Sequence, residues 1–327
     1  MNSSKCLEIE VRVFSMKFWG KGFTIDNVSF IPLENHHDIE RRIQQERQHY
    51  QTGIAKVTFP IQLGCSKAVK MARERLSDYS MLLSFAHGHH VCFHEYSCYE
   101  VKNEVRKFRG RTIHAKWLGK PVGGPNMLSP GFEAFLRNSI PLVYDKQFVE
   151  KTGIVRVIQW YNEAMSLDVL EVKFPALWIG LETLASAHTR SQKREPLLSD
   201  DEMKILREKF HDLVKFDLKI EPPERRDRLY RNVEGLKREP IKEKIFYILQ
   251  QYGFEQYKSE IQISYDLRNA LVHGMSLDSI VKRFKNPFEI GRKLERILEK
   301  LILSILNFYE NNFVHSAIQR EDLLARG

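Results

Sequence analysis

Residues 265–278 read YDLRNALVHGMSLD. Apolar residues alternate with polar ones at helical steps up to His273, and Gly274 follows as the residue type that ends helices in a left-handed conformation. A helix through this stretch places Asn269 and His273, four apart, on one face. Arg268 lies five before His273, about 140° round the axis, so it reaches the imidazole only if its side chain curls back or the helix ends at the histidine. The same period extends outward in both directions. Upstream lie IKEKIFYILQQYG, stopped by Gly253, and LSDDEMKILREKFHDLVKF, opened by an acidic first turn. Before these come GIVRVIQWYNEAMSL and LDVLEVKFPALWIGLETLASAH, the latter expected to kink or break at Pro175. EPPERRDRLYRNVEGLKREP reads as short helices between prolines. Downstream, Ile290, Leu294, Ile297, Leu298, Leu301, Ile305 and Phe308 form one long apolar stripe. From about residue 132 onward the pattern is that of a helical bundle with short connections.

The first part has another period. CLEIEVRVF alternates apolar and polar residues, the signature of a half-buried strand, and VSFIPL reads as a second. DIERRIQQERQHY has helical tendency, and KAVKMARERLSDYSMLLSFA, Lys67 to Ala86, is an amphipathic helix. HVCFHEYSCYEVKNEV and RTIHAKWLG read as strands about a turn at Arg109–Gly110. KPVGGPNMLSPGF, Lys120 to Phe132, is a connection; it lacks the Lys-Ser/Thr of a phosphate-binding loop. The expected fold class is α+β: a mixed α/β module with an antiparallel sheet over residues 1–140, then an all-α bundle over 141–327.

A chain of 327 residues with 43% hydrophobic and 28% charged residues has the composition of a soluble globular protein. Its net charge of +9 favours acidic partners, nucleic acid before an anionic membrane. No signal peptide or bilayer-length apolar run is evident, so a cytoplasmic protein without membrane partners is expected. Cys6, Cys65, Cys92 and Cys98 have no zinc-knuckle spacing and read as reduced thiols. His87, His89, His90 and His94 crowd around Cys92, but their spacing fits no structural zinc pattern. Neither a metal nor a cofactor is expected. Residues 101–120 carry seven basic residues against Glu104, six of the nine net positive charges. Arg106, Lys107, Arg109, Arg111 and Lys116, interleaved with Phe108, His114 and Trp117, are candidate RNA contacts. The plainer reading is a solvated edge strand kept charged against aggregation.

Metal-free RNA cleavage needs a base for the 2′-OH, an acid for the leaving 5′ oxygen and a cation for the phosphate oxygens. Histidine serves either proton role near neutral pH, and arginine offers a fork of donors matched to phosphate. One Arg268–Asn269–His273 set supplies one histidine; a two-fold dimer would supply two. The stretch Arg268 to His273 resembles the signature of the HEPN superfamily, all-helical domains many of which are metal-independent endoribonucleases. Leu177 to Ala185, LWIGLETLA, is similar to the helix preceding that motif in the Apea-like branch, associated with phage defence. The resemblance covers roughly residues 145–327. It implies a homodimer with both motifs in one cleft, His273 as acid/base, Arg268 as phosphate clamp, Asn269 as orienter and Glu182 as the acid that positions Arg268. It further implies RNA, tRNA among the candidates, as substrate, 2′,3′-cyclic phosphate and 5′-OH products, and an antiviral or toxin-like role. Two alternatives stand beside it. In one, Arg268 pairs with Glu182 inside the bundle and His273 merely caps a helix. In the other, the bundle is a non-catalytic dimer that binds nucleic acid or a nucleotide.

Overall fold

Alternation builds the sheet. In β1 (Cys6–Phe14), Leu7, Ile9, Val11 and Val13 are buried, while Glu8, Glu10 and Arg12 stand on the other face. The structure, a computed structural model, describes residues 5–18, 21–113, 131–192, 198–221, 223–235 and 239–308. β1 pairs antiparallel with β4 (Gln51–Pro60) and β5 (Cys92–Lys102). β2 (Phe23–Ile25), β3 (Val28–Pro32) and β6 (Val105–Ile113) complete an antiparallel six-stranded sheet in the order β2-β3-β4-β1-β5-β6. β4 escapes the sequence reading because its inward positions begin with Gly53 and Ala55 while Ile54 faces outward, which blurs the alternation. Its Gly53 is required by close approach: a Cβ there would lie 2.5 Å from the Phe18 ring and 2.7 Å from the Ile31 carbonyl oxygen.

The β5–β6 turn lies at Asn103–Glu104, a correction to the expected Arg109–Gly110. Both residues have positive φ, 48° and 65°, as two-residue hairpin turns of the primed type require. Arg109 is instead the extra residue of a bulge, since Cys98 pairs with Gly110 and Tyr99 with Phe108.

α1 (His36–Glu46) crosses from β3 to β4. α2 (Cys65–His87) packs Leu76, Tyr79 and Leu83 into the core shared with the buried face of the sheet, and Gly88 ends it at φ 67°. A disulfide joins Cys65, at the start of α2, to Cys98 in β5, with Cα atoms 6.0 Å apart. This overturns the expectation of four reduced thiols. The two cysteines are 33 residues apart, and only the packing of α2 on β5 brings them together.

The helical part begins with α3 (Phe132–Tyr144), α4 (Lys146–Thr152), α5 (Ile154–Met165) and α6 (Leu170–Ser191). Position 140, the expected end of the first unit, falls within α3. That helix packs on α2 through Phe135 and Phe85, ring centres 5.7 Å apart, and Phe85 also meets Tyr161 of α5 at 5.2 Å. One hydrophobic core thus runs from sheet to bundle. α6 runs through Pro175 without the expected break: the missing N–H would have served the carbonyl of Glu171, in the exposed first turn.

α7 (Asp200–Asp212) starts on a capping box of Ser199 and Glu202 and continues into a π-helical turn, Leu213–Asp217. α8 (Pro223–Gly235), α9 (Ile241–Gln251), α10 (Lys258–Val272), α11 (Leu277–Phe284) and α12 (Pro287–Ile305) follow. α12 buries Leu294, Ile297, Leu298, Leu301 and Ile305, the stripe expected of it. It approaches α6 at Gly180, where a Cβ would sit 3.2 Å from Leu298. Each such leucine contributes about 1.5–3 kcal/mol by leaving water. The fold is α+β. Among the described residues no helix is long and apolar enough to cross a membrane.

Candidate functional site

α10 ends in a glycine cap. Gly274, at φ 73°, donates its N–H to the Leu271 carbonyl (3.1 Å), and the Met275 N–H reaches the Ala270 carbonyl (3.0 Å). These two bonds form a Schellman motif, which leaves His273 as the last residue of the helix path, at φ −82° and ψ 9°. One turn earlier, Arg268 is half-buried and engaged twice. Its Nη1 donates to Asn269 Oδ1 at 3.2 Å, and its Nη2 lies 3.7 Å from Glu182 Oε1 on α6. The tighter partner of Glu182 is Trp178, one turn back on α6, whose indole N–H donates to the same oxygen at 2.6 Å. Trp178 is fully buried and packs against Tyr265 of α10, ring centres 6.0 Å apart. The spacing Trp178 to Glu182, i to i+4, was visible in the sequence, but the indole's role in holding the carboxylate was not read from it.

Three of the four residues expected at the site, Arg268, Asn269 and Glu182, therefore meet. The His273 side chain is not tied to them: it is exposed, and its imidazole has no hydrogen bond or ion pair among the described residues. Its backbone N–H bonds the Asn269 carbonyl at 3.0 Å, which fixes the imidazole at the exposed end of the helix, beyond Asn269. Chemically this is a guanidinium with N–H groups to spare, oriented by an amide and a carboxylate, on a helix that ends in an uncommitted imidazole. Val272 at the end of α10, Leu277 and Val281 on α11 and Phe288 at the start of α12 are exposed apolar side chains. No protein-family model, curated protein or solved structure matches the chain.

The basic stretch lies on β6, an exposed edge strand. Arg106 places Nη2 2.6 Å from Glu8 and 2.7 Å from Glu10 and covers the Tyr99 ring at 4.0 Å. Arg109 pairs with Glu100, and Arg111 with Glu95 at 3.1 Å. Much of the positive charge is therefore met by acids on the neighbouring strands β1 and β5, while Lys107 makes no ion pair among the described residues. Lys116, His114 and Trp117 lie outside the described residues.

Within the histidine-rich stretch His87 and His89 are buried, while His90 and His94 are half-buried. His89 donates Nε2–H to the Ser15 carbonyl at 2.6 Å, and burial lowers its pKa to about 4. Burial, with His89 beside it, holds His87 well below the ordinary imidazole value. Cys98 is held in the disulfide, and among the described residues the histidines and Cys92 of this stretch do not bring three ligand atoms together. A cleft of about 370 Å³ opens between α2, β5 and α5, but two of its hydroxyls, Ser80 and Ser84, are used on the Val91 backbone. A different cluster, His36, His37 and Glu40 at the start of α1, gathers three potential metal ligands. Its spacing, His-His-x-x-Glu, is present in the sequence but is masked there by the other charges of α1.

Proposed function

We propose that the protein is a metal-independent endoribonuclease of HEPN type. Two copies pair through exposed apolar side chains of α10, α11 and α12, and RNA is cut by attack of its own 2′-OH. The observation that carries this reading is a held guanidinium and a free imidazole on one helix. Arg268 is fixed by Asn269 and Glu182, and His273 stands uncommitted at the end of the same helix. A group that shuttles protons must be free to meet substrate, whereas a group that clamps phosphate gains from being oriented beforehand.

One protomer offers one such histidine. The 2′-OH must lose a proton and the leaving 5′ oxygen must gain one, and two His273 side chains across a two-fold axis divide these roles. Exposed Val272, Leu277, Val281 and Phe288 give a second copy an apolar surface on which to pair. Arg268 stabilises the negative charge that grows on the phosphate in the transition state. The products on this route are a 2′,3′-cyclic phosphate and a 5′-OH. The reading places the protein in the cytoplasm, with a role in antiviral defence or as a toxin.

The test is cleavage of total RNA and of tRNA in EDTA by wild type, His273→Ala and Arg268→Ala, with the oligomeric state of each measured. Wild type is expected to cut, and both variants to lose at least a hundredfold in rate while remaining dimeric. Equal cutting by all three would overturn the assignment of the site. Absence of cutting with equal RNA binding by all three would favour a binding dimer instead.

A further inference from the structure

His36, His37 and Glu40 occupy the first two turns of α1, with ligating atoms that all lie within 4.8 Å of one another. His36 and Glu40 are four apart, so they share a face of the helix. Two of the three side chains are already oriented by backbone groups from other segments. His36 Nδ1 lies 2.8 Å from the Leu33 carbonyl oxygen, which can only accept, so the proton sits on Nδ1. In the neutral ring this leaves the lone pair on Nε2, and that atom is buried with no hydrogen-bond partner. A buried nitrogen of this kind calls for an explanation. Glu40 Oε1 accepts the Phe18 N–H at 3.0 Å, which leaves Oε2 facing His37 Nδ1 at 3.9 Å. The His36 and His37 rings lie 3.9 Å apart, centre to centre.

We propose that His36, His37 and Glu40 bind one zinc ion, through His36 Nε2, an imidazole nitrogen of His37 and Glu40 Oε2, with water completing the coordination. Two imidazoles and a carboxylate form a set that suits zinc, whereas magnesium and calcium favour all-oxygen surroundings. Metal-ligating histidines characteristically donate their other N–H to a carbonyl, and ligating carboxylates are themselves hydrogen-bonded; Leu33 and Phe18 provide both contacts. The ion gives the orphaned Nε2 its partner and holds together the three side chains at the start of α1. This inference is independent of the nuclease reading, because none of its residues belongs to that site.

The experiment is calorimetric titration of the full-length chain, stripped of metal and then freed of chelator, with zinc chloride and separately with magnesium chloride. Thermal melts are recorded with and without zinc. The variants are His37→Ala, at an exposed ring whose loss leaves the core intact, and Glu40→Gln, which keeps an oxygen for the Phe18 amide. Wild type is expected to take up one zinc per chain and to melt higher with it, and each variant to bind at least tenfold more weakly. Absence of saturable zinc binding, wild-type affinity in either variant, or equal affinity for magnesium would overturn the proposal.

Discussion

Arg268 and His273 differ in what the rest of the molecule asks of them. Arg268 touches Asn269 and Glu182, but Glu182 keeps the Trp178 indole when the guanidinium is removed. Arg268→Ala should therefore cost only about 1 kcal/mol of stability, the scale of a partly exposed ion pair. His273→Ala should change stability by less than about 0.5 kcal/mol, because an exposed side chain without partners contributes little. Urea denaturation of both variants checks this. A loss above about 2 kcal/mol for His273→Ala would make the histidine structural and remove the acid/base from the proposed chemistry. The sequence showed which residues share a helix and at what spacing. It could not show that Trp178 is the nearer partner of Glu182, because that contact depends on two rotamers in one turn of α6. Nor could it separate His87 and His89, buried in the core, from His36, whose free nitrogen needs the Leu33 carbonyl in place to be recognised.

At the scale of elements, the end of α10 decides where His273 stands. The Schellman bonds place Gly274 at φ 73°, and no atom lies within 4 Å of where its Cβ would be. Gly274→Ala therefore meets no clash, and its cost is the backbone conformation alone, about 1 kcal/mol. Denaturant titration should show that loss. A neutral result would mean that the helix end can relax without its left-handed residue. Glycine after a helical run was readable as a stop, and α9 and α12 were equally plain from their apolar stripes. β6 was less so. Arg109–Gly110 looked like a turn because glycine in a strand is ambiguous between turn and bulge, and only the pairing of Cys98 with Gly110 resolves it. α11 is eight residues long, too short for its period to stand out.

For the whole molecule, the join between sheet and bundle should make stability depend on pH in two opposing ways. His87 and His89 lie where α2 ends, His87 against Phe132 of α3 and His89 against Ser15 after β1, with Lys17 adding positive charge nearby. Both are held neutral in the fold, chiefly by burial, while an unfolded imidazole titrates near 6.5. Between 6.5 and about 4 the unfolded chain binds the extra protons, so stability is full above 6.5 and falls as the solution is acidified; His89 alone accounts for up to roughly 3 kcal/mol. Glu299 on α12 acts in the other direction. Burial pushes its carboxyl up to about 7, opposed by the hydrogen bond from Tyr161 and reinforced by Glu295. Its contribution is therefore full below the unfolded value of about 4.5 and is lost as pH rises through 7. Glu299→Gln keeps an acceptor for Tyr161 and removes the charge that must be buried at high pH. It should raise stability at pH 8 by up to roughly 3 kcal/mol and have little effect at pH 4.5, where the native carboxyl is already protonated. Chemical denaturation of wild type and variant at the two pH values measures the difference. An equal effect at both would mean that Glu299 does not change its protonation in the fold across that range, and the acid loss assigned to His87 and His89 would then stand alone.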